Sequence, residues 1–236
     1  MNPPKPYRAR LEEKQRLNER FVQYWFEFVL PHELNFTAGQ YISIKVAESG
    51  VRRSYSICSS PAQTHGFELL VDIAPAGIGC TFLENLQFGQ EIELIAPLGI
   101  FTILPDETEQ SLALIATGAG IAPFRAMLCD RLQVAHDTRP ITLYWGMRYA
   151  NLLFWEDEFE ELAQSFSNFT FHPVLSQPET AWPLCRGHVT DCLSTHEQPS
   201  DVGYYLCGNA RMLADVSETL RTKGVTEQQI HHEKFY

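Results

Sequence analysis

The chain has 236 residues, enough on a prior of about 150 per domain for one large domain or two small ones. Hydrophobic residues make up 44% and charged residues 20%, a globular composition, and no apolar run reaches the roughly 18 residues that a membrane-spanning helix needs. The net charge of −11, from 18 Lys and Arg against 29 Asp and Glu, argues against nucleic acid or an anionic membrane surface as a partner.

The N-terminus is polar and lacks the apolar core of a secretory signal, so a cytoplasmic location is expected. Residues 1–20 carry six bases, Lys5, Arg8, Arg10, Lys14, Arg16 and Arg20, against three acids. Such a stretch reads either as a solvated strand edge or as a docking patch for an acidic partner. Residues 7–17, 21–30, 41–46, 54–58, 67–73 and 91–99 are rich in Val, Ile, Phe and Tyr and read as strands. Gly and Pro punctuate them, at Pro31, Gly39, Gly50, Pro61, Gly66, Pro75, Gly89 and Pro97. That rhythm predicts a closed or nearly closed antiparallel β-barrel over 1–104. The polar segment 104–110 is the expected linker to a second domain, 111–236.

From there the pattern changes. Residues 112–117 form a continuous apolar run, as a strand buried on both faces should. A helical period follows over 124–135, a second strand over 141–147, a second helix over 154–166, then strands at 169–176 and 202–209 and a helix at 210–224. This alternation predicts a parallel sheet with helices on both faces. Trp145, Trp155 and the apolar positions of 159–166 are expected in its core.

The six cysteines show no C-x-x-C and no iron–sulfur ligand spacing, so no metal site is expected. They read as reduced thiols, with Cys58, Cys129, Cys185 and Cys192 as packing residues. Neither H-E-x-x-H nor G-x-S-x-G occurs, which removes the metalloprotease and serine-hydrolase readings.

Three segments carry chemistry. Thr117-Gly118-Ala119-Gly120-Ile121-Ala122-Pro123 joins a buried strand to a helix. Glycines there let the backbone approach a pyrophosphate, and the helix start offers free N–H groups. Pro123 suits the first helical turn. It also stands where the third glycine of the Rossmann fingerprint would be, so a plain tight connection stays open. Cys207-Gly208-Asn209-Ala210-Arg211-Met212 is a second strand-to-helix junction on the edge where open α/β sheets bind ligands. Cys207 reads equally as a small buried hydrophobe. In the first half, Arg52-Arg53-Ser54-Tyr55-Ser56-Ile57-Cys58 alternates along an extended segment, placing Arg53, Tyr55 and Ile57 on one face and Ser54, Ser56 and Cys58 on the other. A guanidinium, an aromatic ring and a hydroxyl suit a planar phosphorylated cofactor; a decorated barrel strand is the competing reading.

Arg53-x-Tyr55-Ser56-x-x-Ser59, Gly118-x-Gly120-Ile121-Ala122-Pro123 and Cys207-Gly208-x-x-x-Met212, in this order, resemble the ferredoxin–NADP reductase superfamily. The resemblance spans nearly the whole chain. Segments 52–58 and 230–235 look closest to reductase components of bacterial oxygenases, whereas 118–128 looks more like the ferredoxin- or diflavin-type branch. It implies an FAD-binding barrel of Greek-key type followed by a nicotinamide-binding α/β domain.

By this resemblance Arg53 pairs with the FAD pyrophosphate, Ser54 lies beside it and Tyr55 packs on the flavin. Ser56 bonds near the nitrogen that accepts hydride. Gly77-Ile78-Gly79-Cys80-Thr81 is similar to the second phosphate-binding loop. Cys80 stands there at a position usually Ser or Thr, and Thr81 is the alternative side chain. Thr117, Gly118 and Gly120 cradle the nicotinamide pyrophosphate, and Cys207 lies near the nicotinamide ring. The tail from Glu233 is similar to the family's Glu-x-aromatic ending, with Phe235 against the isoalloxazine and Tyr236 added; Glu233, with Ser56 and Cys207, is a catalytic candidate. NADPH in this family is held by an Arg just after a Ser, whereas here Ser176 is followed by Gln177. A Gln cannot neutralise a phosphate, so NADH is favoured over NADPH, with Arg148 and Arg186 as bases that support NADPH.

The implied activity moves hydride from NADH or NADPH to FAD and single electrons to a separate ferredoxin, flavodoxin or oxygenase component. The alternatives are a flavin reductase that releases free reduced flavin, and an electron-channel subunit of a larger dehydrogenase.

Overall fold

A computed structural model describes residues 3–103, 109–179, 182–196 and 201–234. Most of the expected linker (104–108) lies outside the described residues, as do Phe235 and Tyr236. The chain divides into two compact units, Met1–Ile103 with Ala122–Ala135, and Leu104–Ile121 with His136–Tyr236.

In the first unit, β1 (Lys5–Arg16), β2 (Phe21–Leu30), β3 (Tyr41–Lys45), β4 (Arg52–Ser56), β5 (Gly66–Asp72) and β6 (Glu91–Leu98) form one antiparallel sheet, in the order β4-β3-β6-β1-β2-β5. Its two edges meet just beyond β4, where Ile57 bridges Leu69 and the Cys58 N–H donates to the Glu68 carbonyl at 3.0 Å. These contacts draw the two edges together, and the result is a six-stranded near-barrel. The chain leaves β2 for β3 on the far side and returns beside β2 through β5, a Greek-key path. Alternate residues fill the interior: Tyr7, Ala9 and Leu11; Tyr24, Phe26 and Phe28; Ile42 and Ile44; Ile92, Leu94 and Ala96. The period of two read from the sequence is the cause.

Between β5 and β6 lies α1 (Ile78–Asn85). Only Gly79 and Leu83 of its residues are buried, too few to print a helical period on the sequence. The helix after the first glycine loop, α2 (Ile121–Leu128), continues into a π-helical turn, Cys129–Val134. From Ala122 onward this segment groups with the barrel. Arg125 holds it there through an ion pair with Glu68 and a 3.2 Å bond to the Cys58 carbonyl, and Phe124 sits edge-on to Phe101.

The second unit is a parallel sheet in the order β10-β9-β8-β7-β11-β12, built from β7 (Ser111–Thr117), β8 (Ile141–Met147), β9 (Phe169–Leu175), β10 (Cys185–Arg186), β11 (Val202–Gly208) and β12 (Ile230–Lys234). Its helices are α3 (Glu156–Ser165), α4 (Val189–Thr195) and α5 (Ala210–Thr222). The central strands β7 and β11 are buried almost throughout, as their apolar runs require. Trp145, Phe159 and Leu162 are core residues, as expected, whereas Trp155 and Phe166 are only half-buried. Three acids in the first turn of α3 face the positive end of its dipole.

Two cysteines depart from the expected reduced state. Cys185 and Cys192 are joined in a disulfide, so they are neither reduced thiols nor simple packing residues. The strand β10 and helix α4 bring their Cα atoms to 5.6 Å, inside the range a bridge spans. Cys58, Cys80, Cys129 and Cys207 are thiols. Among the described residues no helix is long and apolar enough to cross a membrane.

Candidate functional site

In the barrel unit, β4 pairs with β3 so that Arg53 lies opposite Ile44, and Tyr55 opposite Ile42. Arg53 and Tyr55 therefore share a face, as the alternation predicts. Ser54 lies opposite Ser43 and is exposed, while Ser56, opposite Tyr41, is only 3% exposed. The two arginines divide their work. Arg52 is tied to Ser43, through Nη2 to the carbonyl at 2.6 Å and Nε to the hydroxyl at 3.2 Å. Arg53 is exposed, with one Nη1 bond to the Arg52 carbonyl.

The first turn of α1 presses against these two side chains. A Cβ added to Gly79 would stand 2.3 Å from Tyr55 Oη and 2.9 Å from Arg53 Cγ. Only a residue without a side chain permits that approach. The first intrahelical bond of α1 runs from Thr81 N–H to the Gly77 carbonyl. The N–H groups before Thr81 therefore have no acceptor within the helix and carry the positive end of its dipole. An exposed guanidinium, an aromatic ring and a helix N-terminus meet here, and this donor set fits the pyrophosphate and ring of a flavin dinucleotide.

Cys80, at the position usually Ser or Thr, turns its Sγ inward and donates to the Asp72 carbonyl at 3.2 Å. Burial raises its pKa and keeps the thiol protonated. Thr81 is exposed on the same turn. Burial, with Cys80 beside it, also pushes the Tyr55 hydroxyl up, so the ring stays neutral.

In the α/β unit, the two glycine loops interlock at the carboxyl ends of β7 and β11. After Thr117 the chain makes a 3₁₀ turn, Gly118–Gly120. A Cβ on Gly120 would lie 2.1 Å from the Cys207 carbonyl oxygen, and one on Gly208 would lie 2.3 Å from Thr117 Oγ1. Trp145 Nε1 donates to the Gly118 carbonyl at 3.1 Å. Asn209 binds both sides of the junction: its Nδ2 donates to Thr117 Oγ1 at 3.3 Å, and its Oδ1 caps α5 by accepting from the Met212 N–H at 2.9 Å. Sequence reasoning passed over Asn209, although an Asn between a strand and a helix is a readable cap. Pro123 is the third residue of α2, in its first turn.

Cys207 is fully buried, opposite Ala116 on β7 and Glu233 on β12. Burial first, and Glu233 second, hold its thiol well above the ordinary range. It is therefore neutral at physiological pH, which suits packing against a ring and excludes a thiolate nucleophile. His231 leans away from this edge. It stacks on Tyr205 at 4.5 Å and lies 3.4 Å from Glu109, while His232 is exposed.

At the ends of β8 and β9 the Ser176 N–H donates to the Met147 carbonyl, and the Gln177 Oε1 accepts from both Arg148 Nε and Tyr149 Oη at 3.0 Å. Arg148 thus stands at the Ser176–Gln177 turn. Arg186, opposite Leu175, is directed to the Trp182 carbonyl. Tyr149 is a second residue that sequence reasoning did not single out.

Residues 8–103 match the oxidoreductase FAD-binding domain family and residues 114–218 the oxidoreductase NAD-binding domain family. The chain is 29% identical over 231 residues to the toluate 1,2-dioxygenase electron transfer component of Pseudomonas putida, an alignment that covers 97% of this chain and 67% of that protein. It is 33% identical over 194 residues to a subunit of the Na(+)-translocating NADH-quinone reductase of Klebsiella pneumoniae, covering 75% of this chain and 47% of that protein. The chain therefore spans about two thirds of the first relative and about half of the second. Among solved structures, the Amycolatopsis cytochrome P450 reductase GcoB superposes with a TM-score of 0.90 at 27% identity, over 100% of this chain and 71% of that one. The chain belongs to the ferredoxin–NADP reductase-like superfamily of flavoprotein oxidoreductases, with FAD-binding and NAD-binding domains in that order.

A neutral buried thiol has a chemical signature. In the folded protein at mildly alkaline pH, Cys207 is expected to resist iodoacetamide and to be alkylated once guanidinium chloride unfolds the chain, as read by peptide mass spectrometry. Because burial raises its pKa, labelling in the native state sets in only above the pH at which ordinary thiols react. Alkylation at the rate of an exposed thiol would contradict the buried placement.

Proposed function

We propose that this protein oxidises NADH, or less readily NADPH, and delivers single electrons to a separate protein acceptor such as a ferredoxin, a flavodoxin or an oxygenase component. The observation that carries this reading is the meeting of Arg53, Tyr55 and the N-terminal turn of α1 at Gly79, a cradle shaped for FAD. The bound FAD ring supplies the chemistry, taking two electrons as hydride from a reduced nicotinamide and releasing them one at a time.

The residues of the chain bind and orient. Arg53 and the first N–H groups of α1 hold the pyrophosphate, with exposed Thr81 and Ser54 at the rim. Gly77 and Gly79 keep that turn open to it, and protonated Cys80 braces the turn against β5. Tyr55 offers a neutral ring to pack on. The buried Ser56 hydroxyl donates a hydrogen bond to a ring nitrogen. Thr117, Gly118 and Gly120 receive the coenzyme pyrophosphate on the start of α2, where Pro123 removes a donor that the turn does not need. Cys207, Gly208 and Met212 form an apolar wall for the nicotinamide, and Glu233 polarises Cys207 from β12. Phe235 and Tyr236 are assigned to the flavin face by resemblance alone.

Coenzyme choice rests on the turn after β9. Gln177 offers no positive charge to a 2′-phosphate, and its amide oxygen is engaged by Arg148 and Tyr149. Arg148 is then the group that supports what NADPH use remains. An acceptor outside the chain is favoured by the role of the Pseudomonas putida relative, an electron transfer component of a dioxygenase. The relatives from Na(+)-translocating NADH-quinone reductases favour a second reading, in which the chain works as an electron channel inside a larger assembly.

Purified protein is expected to be yellow, to retain FAD through gel filtration and to bleach anaerobically on NADH. Loss of a charge-assisted phosphate contact costs about 1.5–3 kcal/mol, so Arg148→Ala is expected to raise KM for NADPH about ten- to a hundredfold and to leave that for NADH within about twofold. A wild-type kcat/KM higher for NADPH than for NADH would overturn the preference. Ser56→Ala is expected to keep its FAD and to slow flavin reduction in stopped flow about tenfold or more, the worth of one hydrogen bond to a charge-bearing group. An unchanged rate would remove Ser56 from the reaction.

A further inference from the structure

We propose that the outer edge of the parallel sheet is a thiol-controlled zinc site, formed by Cys185, Cys192, His172 and His196 once the disulfide between the two cysteines is reduced. None of these residues belongs to the flavin or nicotinamide machinery, and the proposal is independent of it.

The topology assembles the set. β10 pairs in parallel with β9, with Cys185 opposite Val174. His172, two residues before Val174, shares its face of the sheet. Cys192 lies in α4 and His196 caps the same helix, four residues on and therefore on the same side. The Cys185 Sγ, one ring nitrogen of His172 and one of His196 all lie within 4.8 Å of one another. Cys192 Sγ is bonded to Cys185 and stands 3.8 Å from His196 Nδ1.

Two sulfurs and two imidazole nitrogens are the ligand set of tetrahedral structural zinc. Bonds of about 2.3 Å to sulfur and about 2.0 Å to nitrogen place neighbouring ligands about 3.3–3.8 Å apart. Closing the cluster on a metal therefore takes side-chain shifts on the order of 1 Å. Supporting contacts are in place. His196 Nδ1 lies 2.9 Å from the Cys192 carbonyl oxygen, a contact that holds the ring beside the two sulfurs. Tyr144 packs against both imidazoles, at 5.1 Å from His172 and 6.0 Å from His196. The two rings are themselves 4.2 Å apart. Cys192 is buried and the other three are half-buried, so solvent and competing ligands have limited access.

The disulfide and the metal are alternatives, because sulfurs bonded to each other are not thiolates and a tetrahedral ion holds them about 3.8 Å apart. The interconverting reductant is a dithiol. Its thiolate attacks the Cys185–Cys192 bond, which breaks while a disulfide forms in the reductant, and two electrons and two protons pass to the cysteines. Zinc then displaces both protons as the thiolates coordinate. In either state β10 is stapled to α4; the reduced, metal-free state lacks both staples.

The test uses the full chain. Protein reduced with a phosphine and desalted, and protein left oxidised, are each titrated with zinc chloride against a chromophoric zinc indicator. One zinc per chain is expected for the reduced protein and none for the oxidised protein. Cobalt chloride added to the reduced form is expected to give the visible bands of a tetrahedral thiolate–imidazole site. Cys192→Ser and His172→Gln are each expected to weaken zinc binding about a hundredfold or more, with circular dichroism verifying the fold. The comparison of oxidised with reduced wild type and the cobalt spectrum need no substitution. No zinc uptake after reduction, equal uptake by the oxidised protein, an octahedral cobalt spectrum or unchanged affinity in a folded His172→Gln would each overturn the proposal.

Discussion

Close approach of backbone to its neighbours is the constraint on which both candidate surfaces depend. At Gly79 a helix start is pressed onto an arginine and a tyrosine, and at Gly120 a loop is pressed onto the carbonyl that ends the neighbouring strand β11. In each case a single methyl group would occupy space already filled by a hydroxyl or a carbonyl. Interiors pack too densely to absorb such a group without moving the backbone. Absence of a side chain is thus what brings N–H groups, a guanidinium and an aromatic ring together at Gly79.

The two scaffolds achieve this with opposite strand logic. The near-barrel has one interior, so its strands alternate, and the outward or rim positions of β4 are left to carry Arg53 and Ser54. The parallel sheet is covered on both faces, so β7 and β11 are buried almost throughout and the candidate residues lie at their carboxyl ends. There the side chains serve as locks. Asn209, Thr117 and Trp145 fix the loops through hydrogen bonds, and neutral Cys207 is buried beside them. Burial has the same consequence at Tyr55, Cys80 and Cys207, since each stays protonated and none is set up as a nucleophile.

All six barrel strands were legible in the sequence, because alternating Tyr7, Ala9 and Leu11 or Tyr24, Phe26 and Phe28 state the period directly. The same holds for β7, β8, β9, β11 and their long helices. Short elements were not. α1 buries only Gly79 and Leu83 and β10 has two residues, so neither shows a period, and α4 and β12 were not singled out either. The Arg53–Tyr55 face and the two glycine loops were visible as motifs. Their convergence was not, because Gly79 reaches Tyr55 only through the turn of a helix that the sequence does not announce. The Cys185–Cys192 pairing was hidden for a related reason: a separation of seven residues has no signature until β10 and α4 are seen side by side. His172 and His196 join that cluster only through the register of β9 and the cap of α4.

The cradle at Gly79 is the element most directly open to measurement. Titration of the deflavinated protein with FAD, for wild type and Gly79→Ala, compares a Cβ-free turn with one that drives a methyl group into Tyr55 and Arg53. With circular dichroism showing the barrel intact, the variant is expected to bind FAD at least about tenfold more weakly, equivalent to about 1.4 kcal/mol. Equal affinity in the two proteins would contradict the assignment of this turn, and of the residues it touches, to the flavin.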